Sequence, residues 1–544
     1  MRLLLLLCAA GAACARAAPP ASRPPPRARP RPAVEWPVPV RVLERDAAGD
    51  IVVHGTMPPA RGRTTALPAG DRWFVEPLDL DLDDRELDGL GMEVLRHRVP
   101  GLSLRGARRL GDAQVARLAP LSHLRVLDLT ATQVSGAGLA ALGDLAHLRG
   151  LYLAGTRVTD DDLASLAARH PELEAIDLEG CAIGDAGVRA LAALPLRQVG
   201  LASTGITDNG SGALRVHAAR LTSLDLGETN VGDAGLDWLA DAVGLVQLGL
   251  WRTQVSNRLM PLLALDKRLA ILDLSETAID DAGMATLAKS GVLARLTSLD
   301  LSTTKVSDRG AVLLSLAKEL ESLDLGGTLV GKRGVAALSS LSRLGFVSLR
   351  KLKIDEYDVE HLAGLTAIRH LDLGETGVTS DVVPHLDKMT ALAELYLDTT
   401  SIEEDAVEAI AARHTGLRVL HLDDNALGAR AARAIAGLSD LAELTIGETD
   451  LPEEQVAAIL AALPRLEVLD LSSLALSDAI APSIAHLGLL HTLDLSKNEI
   501  SDRGLAALHP LRRLAVLGLQ GTRVTLGRDA VFAAFPSLRD LVTD

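Results

Sequence analysis

One pattern recurs along most of the chain. It reads Leu127-Asp-Leu129-x-x-Thr132-x-Val134, and then Leu151-x-Leu153-x-x-Thr156-x-Val158. The first leucine-type position returns at Ile176, Val199, Leu224, Leu248, Leu272, Leu299, Leu323, Val347, Leu371, Leu395, Leu420, Leu444, Leu469, Leu493 and Leu517. The spacing is mostly 24 or 25 residues, with a short unit ending at Val199 and a 27-residue unit ending at Leu299. Seventeen clear units result. Leu102-x-Leu104 and Leu78-x-Leu80 extend the register backward, and Leu538-x-x-Leu541 opens a last partial unit. Such a period constrains the fold strongly: one unit cannot bury its apolar face alone, whereas stacked copies can.

Each unit contains two periodicities. Leu-x-Leu alternates as a half-buried strand does. After Thr-x-Val comes Asp-x-Gly-Leu-x-x-Leu, as in Ser501-Asp502-Arg503-Gly504-Leu505. An Asp ahead of a helical apolar pattern reads as an N-cap whose carboxylate accepts an orphan N–H of the first turn. Leu505 and Leu508 then share one helix face. The expectation is an α/β solenoid with one strand and one helix per unit.

These motifs resemble the leucine-rich repeat family. The Thr-x-Val-x-Asp-x-Gly-Leu ending is similar to the ribonuclease-inhibitor-like and cysteine-containing subtypes, bacterial versions included. The resemblance covers about residues 71–544 and implies a horseshoe with a parallel concave sheet and convex helices. The family often has Asn or Cys where this chain has mostly Thr. Cys181, Asn425 and Asn498 keep the family types, whereas Leu352 and Leu474 do not. A Thr hydroxyl can serve the backbone at the bend as the amide or thiol would.

Composition agrees with an aliphatic repeat core. Of the 544 residues 48% are hydrophobic, yet only 2% are aromatic. The three cysteines exclude a disulfide-rich scaffold, and Cys181 reads as a buried core thiol. A net charge of −16 and few rings argue against nucleic-acid binding, which needs clustered cations or stacking platforms. Trp73 and Phe74 suit an N-terminal lid, and Phe532 and Phe535 suit a lid in the last helix.

The N-terminus reads as an address. Met1-Arg2, the run Leu3–Leu7 and the small residues up to Ala17 make a secretory signal. Two processing routes are open: cleavage near Ala15 or Ala17, or lipidation at Cys14. Residues 19–34 are nearly all Pro, Arg and Ala and read as an extended spacer. The expected organisation is a signal over 1–18, a spacer over 19–70, an N-terminal cap with degenerate repeats over 71–126, repeats over 127–524 and a C-terminal cap over 525–544. No stretch is long and apolar enough to span a bilayer. The expected location is exported: periplasmic, envelope-anchored or extracellular.

Sites of catalysis are not apparent. Gly326-Gly-Thr-Leu-Val-Gly331-Lys332-Arg333 nearly matches a phosphate-binding loop but lacks its final Ser or Thr, and Thr328 and Val330 are the repeat's own bend positions. Asp79-x-Asp81-x-Asp83 imitates a calcium loop, but Asp84 replaces the loop's Gly, so the segment reads as a capping strand. No metalloprotease, Cys-x-x-Cys or nucleophile-elbow motif occurs. The expectation is a monomeric protein, without enzymatic activity or cofactor, that binds other proteins.

Function is then expected on the concave face. Between the two inward leucines, one residue per unit points outward. These are Asp128, Tyr152, Asp177, Gly200, Asp225, Gly249, Asp273, Asp300, Asp324, Ser348, Asp372, Tyr396, His421, Thr445, Asp470, Asp494 and Gly518. Glu228, Glu276, Glu375 and Glu448 stand at strand exits, with Asp398, Asp423 and Asp424 nearby. The ladder reads either as an acidic groove for a basic protein or peptide or as solvated filler. Tyr152, Trp251, Phe346 and Tyr396 are outward rings, with Arg252 beside Trp251. Arg343, Arg350, Lys351 and Lys353 form a basic island where the ladder lapses at Ser348. Tyr396, Asp398, His421, Asp423 and Asp424 make the preferred contact patch. The other readings are a lipid-anchored structural component of the envelope, and a host-directed effector or ubiquitin-ligase adaptor.

Overall fold

The structure is a computed structural model that describes residues 36–45, 51–57, 73–78 and 80–543. It divides into two compact units. The first runs up to Ala278 and takes in Lys289–Val292; the second comprises Ile279–Ala288 and Leu293 onward. The signal sequence, Cys14 and the Pro/Arg-rich stretch 19–34 lie outside the described residues.

The first unit opens with β1 (Val40–Arg45), β2 (Ile51–Met57) and β3 (Trp73–Pro77). β1 pairs antiparallel with both β2 and β3. From β3 onward the pairing is parallel, through β4 (Gly101–Ser103), β5 (Val126–Asp128), β6 (Gly150–Tyr152), β7 (Ala175–Asp177), β8 (Gln198–Gly200), β9 (Ser223–Asp225), β10 (Gln247–Gly249) and β11 (Ile271–Asp273). The antiparallel hairpin covers a sheet edge that would otherwise expose its backbone groups.

This start differs from the expectation in three ways. Two strands occupy part of the spacer assigned to 19–70, because Val38, Val40, Val42 and Leu43 bury there beside Trp36. The strand position beside Leu102 is taken by Val75, not by Leu78 or Leu80. Trp73 and Phe74 are buried residues of that strand itself. Asp83 caps the helix Asp84–His97, accepting from Arg85 N and Glu86 N in a capping box, and Asp81 pairs with Arg109 at 2.7 Å. The segment is thus a helix entry and not a capping strand; Asp79 lies outside the described residues.

The second unit is parallel throughout. It runs through β12 (Ser298–Asp300), β13 (Ser322–Asp324), β14 (Phe346–Ser348), β15 (His370–Asp372), β16 (Glu394–Tyr396), β17 (Val419–His421), β18 (Glu443–Thr445), β19 (Val468–Asp470), β20 (Thr492–Asp494), β21 (Val516–Gly518) and β22 (Asp540–Val542). The partners across strands are the predicted positions, such as Leu299 with Leu323 and Leu517 with Leu541. Phe535 is buried at the C-terminal end of the last helix and stacks edge-on with His509 at 5.5 Å.

In both units leucines line the interior: Leu127, Leu129, Leu323 and Leu325 are all fully buried. Each such side chain stabilises by about 1.5–3 kcal/mol. The ten-residue helices Asp160–Arg169, Asp281–Ser290, Glu404–Arg413 and Glu453–Ala462 all fall in repeats longer than 24 residues. Elsewhere 3₁₀ turns take part of the helix's place, as Asp233–Asp241 and Val312–Leu316 do in 24-residue repeats and Leu214–Arg220 does in a 25-residue one.

The Asp of Asp-x-Gly does not cap its own helix. The cap is the preceding residue, as Ser307 and Ser501 show by accepting from Arg309 N and Arg503 N. The Asp instead reaches the next repeat. Asp281 accepts from Ser307 N and Oγ and Asp308 from Gly331 N; Asp478, at the same repeat position though followed by Ala479-Ile480, accepts from Ser501 N and Oγ. The Ser501 hydroxyl and then its N–H hold the Asp478 carboxyl below its usual range. The stretch resembling a phosphate loop is engaged in these repeat contacts.

Among the described residues, no helix is long and apolar enough to cross a membrane.

Candidate functional site

The outward face is built by the strands and their exits. In a three-residue strand only the middle residue turns inward, so both flanking residues face out. The expectation of one outward residue per unit therefore undercounts. His370 and Glu394, at first strand positions, share the face with Asp372 and Tyr396 at third positions.

The Asp ladder has a task within each strand exit. All nine aspartates accept the backbone N–H two residues on: Asp128 from Thr130, Asp177 from Glu179, Asp225 from Gly227, Asp273 from Ser275, Asp300 from Ser302, Asp324 from Gly326, Asp372 from Gly374, Asp470 from Ser472 and Asp494 from Ser496. They are local turn caps, neither solvated filler nor free charges. Burial shifts their titration. It pushes Asp225 up to about 6. Burial, then Asp300, raises Asp324, and burial raises Asp372 and Asp470.

Just past each exit one residue is left-handed. Glu228, Arg252, Glu276, Lys351, Glu375, Asp424, Glu448 and Lys497 all sit there, with φ between 50° and 63°. Their side chains form a second row. Arg252 bridges Glu228 at 2.6 Å and Glu276 at 2.8 Å, and Lys497 reaches Glu448 at 3.0 Å. The following Thr donates to its own repeat, as Thr132 Oγ1 does to Leu129 O at 2.7 Å. Cys181 donates to the previous repeat, from Sγ to Leu153 O at 3.1 Å.

The second unit brings four rings together. Phe346 stacks on His370 at 3.9 Å, His370 meets Tyr396 at 4.8 Å, and Tyr396 meets His421 at 4.3 Å. The row crosses β14 to β17. Each His is bound to a carboxylate: His370 Nδ1 lies 2.7 Å from Glu394 Oε2, and His421 Nε2 lies 2.9 Å from Glu443 Oε1. Burial, with Glu394 and Glu443 close by, pushes the Tyr396 hydroxyl up. Asp423, raised chiefly by burial, accepts from Thr445 Oγ1 and from Gly447 N at 2.7 Å.

The basic island is not an independent feature. Arg350 lies over Gly374, binds Asp398 through both terminal nitrogens, and pairs with Asp372 at 3.5 Å and Glu375 at 2.9 Å. Lys351 adds a pair with Glu375 at 3.3 Å. Arg343 pairs with Glu319 and Glu321. The island therefore serves as counter-charge to the acids around it.

In the first unit Trp251 does not project. It is only 8% exposed, lies where a Gly227 side chain would be, and hydrogen-bonds Asp225. Tyr152 stands in register with Asp128 and Asp177. The structure thus joins Phe346, Arg350, Asp372, Glu375, Tyr396, Asp398, His421, Asp423 and Asp424 in the second unit. Asp225, Glu228, Trp251, Arg252, Asp273 and Glu276 gather in the first. His370, Glu394 and Glu443 escaped the sequence reading; alternation applied to every strand residue would have found them.

Five stretches, residues 121–143, 170–192, 219–240, 295–315 and 489–508, match the family described as Leucine Rich repeat, which supports the leucine-rich-repeat character of the chain. No match to a curated protein is found. Solved structures of similar fold include an internalin from Listeria monocytogenes, at 21% identity over 68% of this chain and 86% of that one, with a TM-score of 0.34. They also include the ectodomain of the Arabidopsis receptor kinase HAESA in complex with a peptide hormone, at 16% identity over 84% and 87%, TM-score 0.32. A third is TLR13 in complex with ssRNA13, at 17% identity over 81% and 73%, TM-score 0.41. These likenesses concern the type of fold alone.

Proposed function

We propose that this chain is a non-enzymatic scaffold that binds a basic protein or peptide on the outward face of its parallel strands. The observation that carries the reading is the ring row Phe346–His370–Tyr396–His421, flanked by carboxylates. Around it stand Asp372, Glu375, Glu394, Asp398, Asp423, Asp424 and Glu443, against Arg350 and Lys351. Opposite charge on a partner speeds encounter, and Tyr edges supply contact area at low entropic cost. The ribonuclease-inhibitor-like repeat ending and the N-terminal signal support an exported bacterial member of the family, acting as a monomer.

The test is titration with a nine-residue oligo-arginine peptide. Glu394→Gln with Glu443→Gln should weaken binding about ten-fold at low salt, with the circular-dichroism melt unchanged. Equal affinity of variant and parent would refute the chosen patch.

A further inference from the structure

We infer that His370 and His421 make the ring row a pH-responsive surface, which holds a basic partner while both rings are neutral and releases it when they take up protons. The inference deepens the binding reading of this face and rests on it. Three observations carry it.

The first is how the two rings are tied. An ionised carboxylate only accepts, so the ring nitrogen that faces it carries the hydrogen. His370 thus donates from Nδ1 to Glu394 at 2.7 Å, and His421 from Nε2 to Glu443 at 2.9 Å. His370 Nε2 and His421 Nδ1 have no hydrogen-bond partner among the described residues, and neither atom is sealed from solvent. Each ring therefore has one nitrogen anchored and the other open to a proton.

The second is what surrounds them. His370 lies between Phe346 of β14 and the pair Glu394 and Tyr396 of β16, with Arg369 and Asp372 beside it in the chain. Arg350 and Asp398 stand past the exits of those neighbouring strands. His421 lies between Tyr396 of β16 and Glu443 of β18, with Arg418 and Asp423 on its own repeat and Asp470 of β19 beyond. The inward neighbours Leu371 and Leu420 are buried and bring no charge. Carboxylates thus outnumber cations around both rings. Phe346 stacks nearly flat on His370, at 18° between the planes, a contact that strengthens when the imidazole is charged.

The third is the contrast with the core histidines. His170, His217 and His414 make no hydrogen bond to a carboxylate among the described residues, and burial above all lowers each of them. Those rings are shielded from the proton, whereas the ring row is anchored, open and set among negative charge. Histidine is the side chain whose charge ordinarily changes between pH 5 and 8. Two imidazolium charges would turn Glu394 and Glu443 into internal ion pairs. At roughly 5–8 Å from an arriving guanidinium, they would weaken its binding about ten-fold.

The test is titration of the full chain with the nine-residue oligo-arginine peptide at pH 8 and pH 5.5, at one low ionic strength. Arginine keeps its charge at both. The affinity of the parent should fall about ten-fold on acidification. His370→Asn with His421→Gln keeps an N–H for each glutamate but no titrating ring. Whatever the affinity of this variant at pH 8, its fall should shrink to about two-fold, the remainder coming from Asp423, which burial raises. A second readout is the magnetic resonance of ¹³C-labelled histidine in the parent. With saturating peptide, the His370 and His421 signals should titrate at lower pH than without it, because coupling between proton and peptide is reciprocal. Equal affinity of the parent at both pH values, a fall in the variant as large as in the parent, or signals that titrate alike with and without peptide would overturn the inference and leave the binding reading standing. Where the double variant does not fold or does not bind, the parent's signals decide. Absence of peptide binding by the parent at either pH would refute the binding reading, and the inference with it.

Discussion

Asp281 Oδ1 accepts the backbone N–H of Gly310 at 2.9 Å, although the two lie one repeat apart in the chain. A Cβ on Gly310 would stand 2.7 Å from that same oxygen. The Asp and the Gly of Asp-x-Gly are thus partners across repeats, not within one. Gly310→Ala should destabilise by about 1–3 kcal/mol, despite the roughly 1 kcal/mol that Ala gains in helix propensity. Asp281→Ala should cost about 1–2 kcal/mol through the lost cap on Ser307. Chemical denaturation should show the double variant to be less destabilised than the sum, since the oxygen that the added methyl group would meet is gone.

Asn498 covers for Leu474. Its Nδ2 donates to Leu471 O at 2.7 Å, the carbonyl that a Thr at 474 would serve, while its Oδ1 accepts from Leu474 N and Leu476 N. Asn498→Thr should cost about 2–3 kcal/mol, because a hydroxyl reaches only its own repeat. Adding Leu474→Thr should restore about 1 kcal/mol. Equal stability of the single and double variants would contradict the cross-repeat role.

Asp324 is raised by burial and by Asp300, so its folded pKa exceeds the unfolded value near 3.9. The folded state then holds the proton more tightly, and stability falls as pH rises through the window between the two values. Asp324→Asn keeps an acceptor for Gly326 N and removes the charge. The variant should match the parent at pH 4 and exceed it by about 1–3 kcal/mol at pH 8, read from melts at both pH values. A gap of the opposite sign would mean that the carboxylate is stabilised in place.

Arg350 depends on Gly374 having no side chain, since a Cβ there would overlap its guanidinium. Arg350→Met should cost about 1–2 kcal/mol at low salt and less at high salt. Gly374→Ala should cost a similar amount, and the pair should not add, because either change frees Asp398.

Much of this protein can be read from its leucines. Leu-x-Leu at a fixed period identifies which strand residues turn inward, and the predicted partners, Leu323 with Leu299 and Leu541 with Leu517, are those that pair. The outward rings and acids follow from the same alternation. Other features were out of reach. The hairpin of β1 and β2 arises from a segment without the repeat, and Trp251 is buried because Gly227, just past the exit of the previous strand, makes room for its ring.

The period itself, and with it the inward and outward sides of the repeat strands, was determined by the sequence alone, because alternation is local and needs no partner. The destination of each polar side chain was decided by the tertiary structure. Asp281, Asn498 and Arg350 each reach a neighbour some 22 to 48 residues away in the chain. Stacking brings successive strands within about 5 Å, so the nearest hydrogen-bonding group is often in the next repeat rather than in the same one.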